Sequence, residues 1–203
     1  MPIEVELKVL VENSPESLRG RFEELHYSYI GDVREIDYYM DTSDLFLSKG
    51  DQAFRVRLSA AINSPQFPER IEVTFKGPKI DPISKTREEF GFLVQENNAK
   101  VVLSVFQRIG LTNIIEVSKH RSIWRHPTGM QVTIDLVDEL SPDCYVEAEI
   151  LSENSTGKDQ LIQQLWAILS ELLEISALKL QSERRSYLEL VIERRSGRSK
   201  TKS

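Results

Sequence analysis

The chain has 203 residues, 40% of them apolar and 29% charged, which is enough for one large domain with its own core. There is no apolar run long enough for a membrane-crossing helix, a single cysteine cannot form an intrachain disulfide, and the P-loop pattern GxxxxGK[ST] does not occur. A formal charge of −6 gives a polyanion no help from the overall field, so an anion site has to be a local gathering of bases, and no nucleic-acid partner is expected.

From the first residues the pattern is strand-like. Ile3, Val5, Leu7 and Val9 alternate with Glu4, Glu6 and Lys8, and an element that begins so early leaves no room for a leader. With the lone thiol Cys144, this points to a reducing, cytoplasmic setting. Ser14-Pro15 reads as a helix N-cap with proline in the first turn, and Leu18, Phe22 and Leu25 form the apolar face of that helix. Strands are expected near Ile30–Met40, Ala53–Ala61, Arg70–Lys76 and Thr86–Val94, separated by turns at Asn63-Ser64-Pro65 and Gly77-Pro78. A helix near Asn98–Ile109 carries Val101, Val102 and Val105, with Gly110 as its stop. Three further strands are expected near Ile114–Trp124, Met130–Val137 and Tyr145–Leu151. A long helix near Lys158–Glu174 follows, then a short one from about Arg184 to Glu193. The basic segment 194–203 reads as a disordered tail. No internal repeat appears.

The polar faces of these strands carry the chemistry. Residues two apart share a face, so Glu4, Glu6 and Lys8 lie together, as do Arg55 and Arg57, Thr74 and Lys76, Arg87 and Glu89, Lys119 and Arg121, and Glu147 and Glu149. Asp135 alternates against Ile134 and Leu136. Taken singly, each pair reads as a wet strand face. Together they segregate, with carboxylates on the first and last strands and mostly bases between. Closing the sheet would bring its two ends together and gather Glu4, Glu6, Glu147 and Glu149 at one place. Their repulsion would raise their pKa values unless a cation sat among them, and hard oxygen ligands suit Mg²⁺ or Mn²⁺. Lys8, Arg55, Arg57, Lys76, Arg87, Lys119 and Arg121 would line the other walls, a pattern that fits a metal-bound polyphosphate.

Glu4-Val5-Glu6-Leu7-Lys8 resembles the ExExK motif of the CYTH superfamily, the triphosphate tunnel metalloenzymes. The resemblance continues through Phe54-Arg55-Val56-Arg57, Thr74-Phe75-Lys76-Gly77-Pro78-Lys79, Ser84-Lys85-Thr86-Arg87-Glu88-Glu89, Lys119-His120-Arg121, Asp135, Glu147-Ala148-Glu149 and Ser186-Tyr187-Leu188-Glu189-Leu190. ExExK alone is a weak sign, but the ordered set covers nearly the whole chain. The stretch around Lys76 and Lys85 is most similar to the class IV adenylyl cyclase branch. Leu140-Ser141-Pro142 stands where many relatives have Leu-Gly, which bears on the turn there and not on the ligands.

The resemblance implies an α+β fold, an eight-stranded antiparallel closed barrel with flanking helices, as one CYTH domain over residues 1–193. It implies Glu4, Glu6, Glu147 and Glu149 at the metal, with Asp135 beside them. The seven bases are implied on the triphosphate, and Lys8 and Asp135 as catalytic groups. It also implies a homodimer. The expected activity is conversion of ATP to cyclic AMP and pyrophosphate. The alternatives are hydrolysis of inorganic triphosphate, thiamine triphosphate or a nucleotide, and non-catalytic binding of such a molecule. His26, His120, His126 and Cys144 have no metal or activating spacing, Trp124 and Trp166 read as packing, and Lys79 and Lys85 read either as solvated turn residues or as tunnel-mouth groups.

Overall fold

The computed structural model describes residues 3–11, 14–62, 69–80, 84–95, 98–152, 157–175 and 181–200. Among these residues there are eight strands: β1 (Ile3–Val11), β2 (Ser28–Asp41), β3 (Ala53–Ala61), β4 (Arg70–Lys76), β5 (Arg87–Val94), β6 (Asn113–Arg125), β7 (Gln131–Val137) and β8 (Cys144–Ser152). Five α-helices accompany them among the described residues: α1 (Pro15–Glu24), α2 (Phe46–Lys49), α3 (Ala99–Arg108), α4 (Lys158–Leu173) and α5 (Tyr187–Lys200). The strands form a closed antiparallel barrel in the order β1-β5-β4-β3-β2-β6-β7-β8. The first and last strands are therefore neighbours, as the charge pattern requires. The turns at 63–65 lie outside the described residues, whereas the two-residue strand alternation on either side is found as expected.

The two seams of β1 are unequal. Against β8 it pairs along its whole length, from Ile3 opposite Ser152 to Val11 opposite Cys144. Against β5 it makes two pairs among the described residues, Ile3 with Glu88 and Glu4 with Arg87, extended by the Lys85 amide donating to the Glu6 carbonyl at 3.0 Å.

The apolar faces point outward to the helices. Val5, Leu7 and Val9 of β1 and Val146 and Ala148 of β8 are buried beneath Leu165, Leu169 and Leu172 of α4, with Leu18 and Phe22 of α1 in the same cluster. α1 begins as read: the Ser14 Oγ accepts from the Ser17 amide at 3.2 Å and Pro15 is the first helical residue. Val102 and Phe106 of α3 pack over Val56 and Val73. Gly110, at φ 108°, takes the left-handed conformation that ends α3. None of the described helices is long and apolar enough to cross a membrane.

Two features depart from the sequence reading. The four-residue α2 has no apolar periodicity to announce it. The Asp41 carboxylate builds it, accepting from the amides of Leu47 and Ser48 at 3.0 and 2.9 Å. The chain end also differs, since α5 continues to Lys200 where a disordered tail was expected from Arg194. Its start is fixed by a capping box, with the Glu189 amide donating to Ser186 Oγ at 3.2 Å and the Ser186 amide to Glu189 Oε2 at 2.6 Å. Farther along, Arg194 reaches Asp143 at 3.5 Å and Arg195 grips Glu139, so these bases serve as anchors. Tyr187, Leu190 and Val191 bury against Val117, Val137, Leu140 and Tyr145, which seats α5 over one end of the barrel. The Leu140-Ser141-Pro142 turn is made by a short 3₁₀ segment, Asp138–Leu140, and leaves the β7–β8 register intact from Gln131/Glu149 to Leu136/Cys144.

Candidate active site

The alternation that buries valines outside sends the charges inside, and register then pairs them. Glu6 stands opposite Glu149 and Lys8 opposite Glu147 across β1 and β8. Asp37 faces Arg57 across β2 and β3, Glu35 faces Lys119 across β2 and β6, Lys76 faces Glu89 across β4 and β5, and Arg121 faces Asp135 across β6 and β7. They surround a cavity of about 640 Å³. Glu4, Glu6, Glu147 and Glu149 all line it, as do Arg55, Arg57, Lys76, Arg87, Lys119 and Arg121. Apolar side chains, Leu93 and Leu151, stand with Phe92 where the lining leaves the ionic zone, and all three are well exposed.

The glutamates crowd one another. Burial and the charges of Glu4, Glu6 and Glu147 push Glu149 up to about 8, although Arg121 works the other way. Burial and Glu147 likewise raise Glu6. Glu147 is held well below the usual carboxylate range, because Lys85 and Arg121 outweigh its burial. Gln131 donates to Glu149 Oε1 at 2.5 Å, fixing one of its oxygens.

This donor set fits a hard divalent ion by its chemistry, since the carboxylates are oxygen donors whose repulsion a cation relieves. It is not a finished cage: among the described residues no three His, Cys, Asp or Glu side chains stand together as a ready ligand group. Mg²⁺ commonly takes one or two carboxylates and completes its shell from substrate phosphate and water, so an open donor set is in keeping with that ion.

A pH signature follows. The native state keeps the Glu149 proton up to about 8, against about 4.5 in the unfolded chain. It therefore binds more protons than the unfolded chain between these values and loses stability as pH rises through them. Lys8, which burial and the Lys85 charge pull down to about 7, acts in the opposite sense only above that value. The urea midpoint of the chelator-treated protein is expected to fall from about pH 5 to about pH 7, and Glu149→Gln to flatten that slope. A slope unchanged in the variant would remove Glu149 as its source.

The bases differ in how free they are. Arg55 donates through Nη2 to Thr74 Oγ1 at 3.3 Å and lies 3.5 Å from Glu72, but its Nε is buried without a hydrogen-bond partner. Asp37 Oδ1, at 4.0 Å, is too far to serve it, so an anion oxygen has a donor waiting there. Arg57 is committed. Its Nε and Nη2 donate to the two oxygens of Asp37 at 2.5 and 2.8 Å, and Glu35 lies 3.1 Å from Nη1. Burial would raise Glu35, but Arg57, Lys119 and Arg121 outweigh it and hold it at about 2.

Lys8 and Asp135, read as catalytic, both lie against Tyr187, and neither is on the cavity wall. The Lys8 ammonium donates to the Arg185 carbonyl at 2.5 Å and lies 4.0 Å from the Tyr187 ring centroid. Asp135 accepts from Arg121 Nε at 2.8 Å and from the Tyr187 hydroxyl at 2.9 Å. Tyr187 does line the cavity and covers both. Their places fit positioning of Tyr187 and Arg121.

Sequence reasoning missed Glu35 and Asp37, which break the expected division into acidic end strands and basic middle strands. The signal was present: Val33, Glu35, Asp37 and Tyr39 share a face, but Arg34 on the opposite face obscured the alternation. Buried arginines need counter-ions, and these two carboxylates supply them. Lys85 and Lys79 are not solvated turn residues either. Lys85 is 6% exposed and contacts Glu6 and Glu147, while Lys79 bonds Asp51 at 2.7 Å and Glu189 at 3.2 Å. His120 is exposed, away from the cavity, and burial pushes the Cys144 thiol up to about 12, so neither joins the site. Trp124 stacks on Phe22 at 4.9 Å, as a packing residue should.

Comparison with known proteins agrees with this geometry. Residues 2–187 match the model of the CYTH domain family. A candidate adenylate cyclase of Methanocaldococcus jannaschii, MJ0240, is 29% identical over 188 residues, 93% of this chain and 98% of its own. The PH1819 protein of Pyrococcus horikoshii OT3 superposes with a TM-score of 0.79 at 28% identity, covering 94% of this chain and 98% of that one. HpAC1 of Hippeastrum, a candidate adenylyl cyclase reported with a dominant triphosphatase activity, shares the fold at a TM-score of 0.63 and 15% identity, covering 97% and 96% of the two chains.

Proposed function

Because the chain belongs to the CYTH domain family, we propose that it is a divalent-metal-dependent enzyme acting on a triphosphate inside the barrel, in the manner of an adenylyl cyclase that converts ATP to cyclic AMP and pyrophosphate. The observation that carries this reading is the meeting of Glu4, Glu6, Glu147 and Glu149 on one side of a cavity whose other walls present Arg55, Lys76, Arg87 and Lys119. Glu4, Glu6 and Glu149, with Glu147 behind them, would hold Mg²⁺ or Mn²⁺. Such an ion, when bound, supplies charge neutralisation on the phosphates and eases deprotonation of the attacking hydroxyl.

The protein's own part is to bind and orient. The unpaired Nε of Arg55 and the buried guanidinium of Arg87 would grip phosphate oxygens, and Lys76 would add a point charge. In the cyclase reaction the 3′-hydroxyl gives up its proton to water, its oxygen bonds to the α-phosphorus, the bond from that phosphorus to the bridging oxygen breaks, and pyrophosphate leaves. Positioning and charge stabilisation are what such a step asks for. The exposed Leu93, Phe92 and Leu151 at the rim suit an organic group carried by the triphosphate.

A second reading, hydrolysis at the terminal phosphorus, is favoured by the several bases on the cavity wall, Arg55, Lys76, Arg87 and Lys119 among them, which would grip a triphosphate whatever it carries. Purified protein incubated with ATP, and separately with inorganic triphosphate, in Mg²⁺ or Mn²⁺ decides between them. Cyclic AMP with pyrophosphate is expected. Orthophosphate without cyclic AMP would replace the cyclase by a hydrolase, and neither product from either substrate would overturn the enzymatic reading.

A further inference from the structure

Lys85 lies among the glutamates as an internal cation. Its ammonium contacts Glu6 Oε1 and is 3.3 Å from Glu147 Oε1, on the side of the barrel where Glu6 faces Glu149. Its backbone is fixed by the 3.0 Å bond from its amide to the Glu6 carbonyl and by Ser84 and Thr86, which are fully buried on either side. The side chain has four rotatable bonds and ends in a compact charge, so the ammonium can be moved while the backbone stays. It also lines the cavity, within reach of an anion there.

We propose that Lys85 is a competing counter-ion: it shares the Glu6 carboxylate with any divalent ion and leaves it for a phosphate oxygen when the triphosphate enters. This assigns to Lys85 a positioning role that links loading of metal and loading of anion, and it rests on the metal-dependent reading above. Two cations cannot occupy one carboxylate edge without repulsion, so Lys85 on Glu6 weakens the metal. A phosphate that draws the ammonium away strengthens it. By linkage the metal must strengthen phosphate binding by the same factor. Lys76 stands in a parallel arrangement, 2.6 Å from Glu89 and 3.3 Å from Glu4, but it pairs across strands whereas Lys85 bridges toward the crowded glutamates.

The test is calorimetry on the purified full-length, chelator-treated protein, with Mn²⁺ alone and with a methylene-bridged ATP analogue alone. Lys85→Met is expected to bind Mn²⁺ about tenfold more tightly than wild type and the metal-free analogue about tenfold more weakly. These opposite shifts are not what a general loosening of the structure would give. Lys85→Arg, which keeps the charge, is expected to stay near wild type in both titrations. Lys85→Gln provides the neutral form with hydrogen-bonding capacity should the methionine variant fail to fold, and is expected to shift in the same two directions. Mn²⁺ affinity unchanged or weakened in a folded neutral variant overturns the inference while the metal-dependent reading stands. Failure of every form to bind Mn²⁺, even with the analogue present, overturns both.

Discussion

Glu4→Gln is expected to lower kcat on the triphosphate substrate about a thousandfold, equivalent to roughly 4 kcal/mol of transition-state stabilisation, with the fold retained. Glutamine keeps the shape of the side chain and removes the negative charge that a divalent ion needs. Stability should change little, because Lys76, the ammonium 3.3 Å from Glu4, keeps Glu89 at 2.6 Å. Glu116→Gln, on the exposed side of β6, is the control and should turn over as wild type does. The measurements are steady-state kinetics, Mn²⁺ titration and a urea unfolding curve on each protein. A Glu4→Gln variant with full kcat and full Mn²⁺ affinity would take Glu4 out of the metal site.

The second large effect falls on stability. Arg57→Leu is expected to cost about 3–5 kcal/mol, because it leaves Asp37, which is completely buried, without the two short bonds it now receives. The double variant Arg57→Leu/Asp37→Leu should recover most of the loss, since removing both charges also removes the penalty of burying one alone. Lys119 retains Glu35 at 3.0 Å in that variant, so no new buried charge is stranded. Urea unfolding of the two single variants and the double variant closes the cycle. A single-variant cost below about 1 kcal/mol would mean that the pair behaves as an exposed one. Arg57, expected on the phosphate, lines the cavity while it also holds Asp37 and Glu35.

The barrel was legible because two signals agreed. Alternation placed valines and charges on opposite faces of β1 and β8, and the like charges on those two strands made sense only if the sheet closed. Alternation alone placed Arg55, Arg57, Lys76, Arg87, Lys119 and Arg121 with Glu4, Glu6, Glu147 and Glu149 on the inner face, and all ten line the cavity. What escaped notice was set by distance in the chain. Tyr187 reaches Asp135 across 52 positions, and Lys85 reaches Glu6 across 79, from a segment that precedes its strand and carries no alternation. Lys8 was placed on the correct face, but its neighbourhood beside Tyr187 was not foreseen, because periodicity gives the side of a strand and not the depth along the barrel. The carboxylates of β2 answer a need for charge balance that no local pattern states.

The uneven fastening of β1 has a mechanical meaning. Among the described residues one flank is laced for nine positions to β8, while the other is buttoned to β5 at two, and one of those two is Glu4. The ring thus has a weak link, and a residue proposed to hold the ion sits on it. An ion held by Glu4 would therefore bear on the clasp as well as on the pore.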